Sequence, residues 1–95
     1  MATILVIDDE PTNRQLLNTV LGYQGHAIVE AGDGQEGLEK SRATHPDLAI
    51  VDILMPTMDG FEFVRQLHSD PSIAATPIIF YTAAYYEREI RSLEP

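Results

Sequence analysis

Four short apolar runs space the chain: Ile4-Leu5-Val6-Ile7, His26 to Glu30, Leu48-Ala49-Ile50-Val51 and Pro77-Ile78-Ile79-Phe80-Tyr81. Runs of this length with little polar alternation predict strands buried on both faces, the habit of parallel sheets flanked by helices. The segments between them carry helical spacing. Pro11 stands where a first helical turn belongs, and Leu16, Leu17, Val20 and Leu21 recur at i, i+1, i+4, i+5 before Gly22, predicting a helix with one buried face. Asp33-Gly34 reads as a turn, and Gln35 to Ala43 as a weaker helix that ends before Pro46. After the loop Met55-Pro56-Thr57-Met58-Asp59-Gly60, the positions Phe61, Val64 and Leu67 at i, i+3, i+6 predict a third helix stopping near Asp70-Pro71. Ala83 to Leu93 is helix-prone, with Ile90 and Leu93 on one face. The alternation βαβαβαβα predicts a doubly wound α/β unit with right-handed crossovers.

Two of the runs end in carboxylates, Asp8-Asp9 after the first and Asp52 after the third. In open parallel sheets the ligand crevice lies beyond the carboxyl ends of the strands, which places these three acids on one functional edge. Like charges so close need a cation, a proton or solvent to offset them, and an all-oxygen set with few protein ligands suits Mg²⁺. The fourth run ends at Thr82, adding a hydroxyl to the same edge. Hydroxyl, metal and carboxylate together suggest phosphoryl chemistry.

Plainer roles compete for the same residues. Asp8 and Asp9 suit caps of the first helix, and Thr82 suits a strand end or helix N-cap. Asp52 has a weak structural alternative, because a carboxylate straight after four apolar strand residues is costly unless used or paired. Asp33-Gly34 and Asp59-Gly60 read as turn and capping structure. His26, His45 and His68 lie on separate elements without ligand spacing and read as ordinary surface or core residues. Tyr85 and Tyr86, being adjacent, cannot share one helical face, which leaves one ring for a neighbouring loop or a partner.

Composition narrows the classes. Ninety-five residues with 44% apolar content make one small domain over 1–95. Fifteen acids against six Lys and Arg give a formal charge of −9, so the segment lacks attraction for a phosphate backbone and direct nucleic-acid binding is not expected. There is no cysteine, hence no disulfide framework and no thiol nucleophile. No apolar stretch reaches membrane-span length and no basic or apolar leader precedes Thr3, so a soluble, cytoplasmic protein without membrane contact is expected.

The set formed by Asp8-Asp9, Asp52, the Met55-Pro56-x-Met58-Asp59-Gly60 loop and Thr82-Ala83 resembles the receiver domain of two-component response regulators over the full length of the chain. The resemblance implies a flavodoxin-like fold with five parallel strands ordered 2-1-3-4-5. It implies that Asp52 accepts a phosphoryl group from a sensor histidine kinase or phosphotransfer protein, as a signalling switch in a phosphorelay. Asp9 and Asp52 would ligate Mg²⁺ directly, Asp8 through water, and the Leu54 carbonyl would complete the protein ligands. Thr82 would be the switch hydroxyl and Ala83 the small residue leaving room for its approach. Such a domain is no enzyme beyond its own phosphorylation and dephosphorylation.

Two family elements have no counterpart here. The lysine that pairs with the phosphoryl group is missing: Lys40 is the only lysine and sits on the predicted second helix. The aromatic partner of the switch threonine, normally on strand five, is missing too. Strand five and its helix would need on the order of 20 to 30 further residues. The expectation is therefore a C-terminally truncated receiver with strand order 2-1-3-4, an output domain beyond residue 95, and self-association through strand four and the fourth helix. Two rival functions stand beside this one. One is a degenerate receiver used only for protein contacts. The other is a phosphatase or dehalogenase-like hydrolase, whose general acid two residues after the nucleophile would fall at Leu54.

Overall fold

The structure, a computed structural model, describes residues 1–82. Strands β1 (Thr3–Ile7), β2 (Ala27–Ala31), β3 (Leu48–Asp52) and β4 (Ile78–Tyr81) alternate with helices α1 (Pro11–Tyr23), α2 (Gly34–Thr44) and α3 (Gly60–His68). All strand pairs are parallel, as the apolar runs predict, and the sheet order is β2-β1-β3-β4, the flavodoxin-like arrangement that the family resemblance implies. The helix expected over Ala83 to Leu93, with Tyr85 and Tyr86, lies outside the described residues.

Strand parity sorts the sheet into two faces. Leu5, Ile7, Ala49 and Val51 point to one side, where Leu38 of α2 and Phe63 and Leu67 of α3 complete the main core. Buried Ile4 and Val6 point to the other side, as does Glu30 in register with Val6. Helix α1 covers that second face, since Arg14 and Asn18 both donate to the Glu30 carboxylate at 3.2 and 2.9 Å.

The apolar stripe of α1 seats less deeply than its spacing predicts. Leu17 and Leu21 are half-buried, whereas Leu16 and Val20 are 62% and 48% exposed. Among the described residues α1 is the one helix on its face and leans over β1 and β2, so only a narrow strip of it meets apolar surface. In α3 Leu67 is buried and Val64 packs against the core as the spacing predicts, but Phe61 does not join them, and Gly60 and Phe63 complete the buried row with Leu67 at i, i+3, i+7. Phe61 turns outward and its ring meets Phe80 of β4 at 5.1 Å between centroids, joining α3 to the outer strand.

Asp33 and Asp59 are N-caps, their side chains accepting from Glu36 N–H and Glu62 N–H at 2.8 Å each. Glu36 reciprocates by accepting from Gly32 N–H at 2.6 Å, a variant of the capping box. These caps fix where α2 and α3 start, immediately beyond the carboxyl ends of β2 and β3. A Cβ on Gly34 would lie 2.4 Å from the Met58 sulfur, so glycine leaves room for the Met58 side chain of the β3–α3 loop against the start of α2.

Candidate functional site

The register of the sheet builds the site. Ile7 lies beside Val51, so one residue on Asp8 comes alongside Asp52, and Asp52 in turn pairs with Tyr81. The row Asp8, Asp52, Tyr81 therefore crosses three strands on the α1 face of the carboxyl edge. Asp8 and Asp52 are buried at 0% and 2% exposure, while Asp9, just past the strand, is exposed. Carboxylate oxygens of all three lie within 4.8 Å of one another.

Local hydrogen bonds hold the cluster without neutralising it. Asp8 Oδ1 accepts from Glu10 N–H at 2.8 Å, and Arg14 donates to the Asp8 carbonyl at 2.6 Å from its place on α1. Asp52 Oδ1 accepts from Leu54 N–H at 3.2 Å, which lays the Leu54 peptide against the cluster. The Tyr81 hydroxyl donates to Asp8 Oδ2. Burial pushes the Asp52 carboxyl up to about 6; the Leu54 N–H opposes this, and the charges of Asp8 and Asp9 reinforce it. The same burial, with the Asp8 bond, drives the Tyr81 hydroxyl well above its usual range, so it remains a donor.

Backbone geometry supports this edge. A Cβ on Gly60 would fall 2.5 Å from the Asp52 carbonyl oxygen, and Gly60 N–H donates to the Ile53 carbonyl at 3.0 Å. Glycine there lets α3 begin directly against the end of β3. The connecting loop holds Thr57 at φ 69°, a left-handed conformation that is strained for a β-branched residue.

Asp8, Asp9 and Asp52 converge, Leu54 reaches the cluster through the N–H that donates to Asp52, and Thr82 follows β4 half-buried beyond the same edge. Ala83 lies outside the described residues. Asp8 and Asp9 do not cap α1: its N-cap is Glu10, without a side-chain bond. Lys40 stays away from the cluster, donating to the Glu30 carbonyl and lying 3.8 Å from Glu36. The histidines remain apart, His26 accepting from Ala2 N–H, His45 closing α2 in a left-handed conformation, and His68 exposed at the end of α3. Tyr81 and Arg14 are the site residues that sequence reasoning overlooked. For Tyr81 the run ends mislead, because they align Thr82 with Asp8 and Asp52, and only the observed register puts Tyr81 in that row.

The family profile of the response regulator receiver domain matches residues 4–93. The chain belongs to this family. Protein PilH of Pseudomonas aeruginosa is 37% identical over 89 residues, covering 94% of this receiver and 74% of PilH. The probable transcriptional regulator ycf27 of Porphyridium aerugineum is 39% identical over 80 residues, and sensor protein EvgS of Escherichia coli K12 is 47% identical over 70. This receiver covers 84% of its own length but 32% of that ycf27, and 74% of its own length but 6% of EvgS. Among solved structures, the N-terminal domain of a response regulator receiver protein from Methanoculleus marisnigri superposes with a TM-score of 0.85 at 35% identity, covering 97% of this chain and 78% of that one. Chemotaxis protein CheY4 of Vibrio cholerae gives 0.81 at 33%, covering 97% and 79%.

The donor set of this receiver fits Mg²⁺. Its oxygens are hard, two acids are fixed by burial while the third faces solvent, and all three crowd within 4.8 Å, a concentration of negative charge that a cation relieves. Among the described residues no helix is long and apolar enough to cross a membrane.

Proposed function

We propose that this receiver takes a phosphoryl group onto Asp52 from the phosphohistidine of a sensor histidine kinase or phosphotransfer protein, and serves as a Mg²⁺-dependent cytoplasmic switch ahead of an output domain or within a relay. The observation that carries this is the convergence of Asp8, Asp9 and Asp52 at the carboxyl edge of the sheet, with Asp52 fixed at the end of β3. Asp9 and Asp52 would hold the cation directly, Asp8 through water, with the Leu54 carbonyl as the remaining protein ligand. When bound, Mg²⁺ supplies positive charge against the phosphoryl oxygens and a template for in-line transfer.

The residues divide the remaining work. Leu54 N–H holds one Asp52 oxygen, leaving the other to attack phosphorus while the phosphorus–nitrogen bond breaks and its electron pair departs on the imidazole. With a pKa near 6, Asp52 is mostly anionic at neutral pH and remains a nucleophile. Thr82, next along the chain from Tyr81, would donate its hydroxyl to the transferred group. Leu54 offers no carboxyl to serve as general acid, which argues against a hydrolase and for a protein that catalyses only its own phosphorylation and dephosphorylation. The intact acid cluster likewise favours a phosphoacceptor over a receiver kept only for protein contacts.

Incubation of the chain with acetyl phosphate and Mg²⁺ is expected to add one acid-stable, base-labile phosphoryl group that chelation prevents and Asp52→Asn abolishes. Uptake by Asp52→Asn equal to wild type would overturn the assignment.

A further inference from the structure

The Tyr81 hydroxyl has an unusual post. Tyr81 belongs to β4, yet its hydrogen-bond partner, Asp8, extends β1, and β3 runs between them. Adjacent strands lie about 4.8 Å apart, so the contact passes over Asp52, and a long side chain of the same parity is needed to make it. With Glu10 N–H on Asp8 Oδ1 and Tyr81 on Oδ2, each oxygen of the deepest carboxylate already has a donor. A water held by a cation would approach the same oxygens.

We propose that Tyr81 is a positioning residue of the metal site: its hydroxyl holds Asp8 Oδ2 when no cation is present and gives up that oxygen when Mg²⁺ binds, so metal entry and the setting of the β4 end are coupled. The inference rests on the Mg²⁺ assignment made above. The geometry gives the coupling a direction. The hydroxyl offsets part of the carboxylate repulsion in the metal-free protein and competes for the oxygen that a metal-bound water needs. Tyr81 directly precedes Thr82, and its carbonyl accepts from Ile53 N–H at 2.9 Å, so movement of the ring is tied to the strand end that carries the switch hydroxyl. In this protein the phenol thus links the acid cluster to β4 through the side chain before Thr82.

Calorimetric titration of the full chain with Mg²⁺ tests the idea, using wild type, Tyr81→Phe and, as a control, Tyr23→Phe. Phe keeps the ring and deletes the competing donor. Tyr81→Phe is expected to bind Mg²⁺ roughly tenfold more tightly, the equivalent of about 1.4 kcal/mol, whereas Tyr23→Phe matches wild type. A second measurement reads the ring itself: Mg²⁺ should produce an ultraviolet difference spectrum of tyrosine losing a carboxylate bond in wild type and in Tyr23→Phe, and none in Tyr81→Phe. Equal or weaker binding by Tyr81→Phe, or a wild-type spectrum that Mg²⁺ leaves unchanged while heat of binding is seen, would overturn the role of Tyr81 and leave the metal site standing. Absence of Mg²⁺ binding by wild type would overturn both.

Discussion

Asp52 is buried among like charges, and its stability cost has a sign that pH exposes. Its folded pKa, about 6, lies above the ordinary 3.8, so the folded chain holds more protons than the unfolded one between those values. The penalty is absent below about pH 4, grows as pH rises to 6 and persists above it. Asp52→Asn is therefore expected to stabilise the metal-free protein by about 1–3 kcal/mol at pH 7, at about 1.4 kcal/mol per pKa unit, with the gain shrinking toward pH 4. Thermal melts across that range check it, and a lower melting temperature for Asp52→Asn at pH 7 would show a structural carboxylate. Mg²⁺ should raise the melting temperature of wild type and hardly move that of Asp9→Ala. A second residue effect sits at Thr57, whose φ of 69° disfavours a β-branched side chain. Thr57→Asn should raise the urea midpoint by an amount worth about 1 kcal/mol, since asparagine tolerates this conformation. The acids were legible in the sequence because each interrupts or ends an apolar run where charge is expensive. Tyr81 was not, because a tyrosine at a strand end is ordinary until the register shows which row it joins.

At the scale of elements, spacing predicted where helices lie better than which side chains they bury. The α3 pattern contained two rows, one through Phe61 and one through Gly60, Phe63 and Leu67; periodicity alone does not choose between them. The choice falls to Gly60, whose missing side chain lets α3 start against the Asp52 carbonyl and so turns Phe63 and Leu67 inward. Gly60→Ala should cost about 1–3 kcal/mol, because the neighbour is backbone and cannot swing away. Retreat of α3 should also loosen the Leu54 peptide and weaken Mg²⁺ binding, read by calorimetry beside a urea melt. Unchanged stability and affinity would mean that the start of α3 does not set the site. The α1 stripe was overestimated for a related reason, as an amphipathic pattern states what a helix can bury and the surface beneath it states how much it does.

At the scale of the whole sheet, the strand order β2-β1-β3-β4 makes β4 an outer strand among the described residues, with Ile79 and Phe80 51% and 37% exposed. An apolar outer strand is a template for pairing, which makes concentration-dependent self-association an expected property of this chain. Ile79→Lys should suppress it in size-exclusion chromatography with light scattering, and a wild type that stays monomeric at high concentration would contradict the expectation. The parallel α/β class was legible because unbroken apolar runs alternate with helices, whereas the strand order rested on the family resemblance. The chemistry was legible because that topology brings the run ends together. The most direct test of a phosphoacceptor at the end of β3 maps the acyl phosphate itself. After treatment with acetyl phosphate and Mg²⁺, borohydride reduction converts a phosphorylated aspartate to homoserine, which peptide mass spectrometry locates. Homoserine at position 52, absent when Mg²⁺ is chelated, is the predicted result; homoserine at Asp8 or Asp9, or at no aspartate despite phosphoryl uptake, would contradict it.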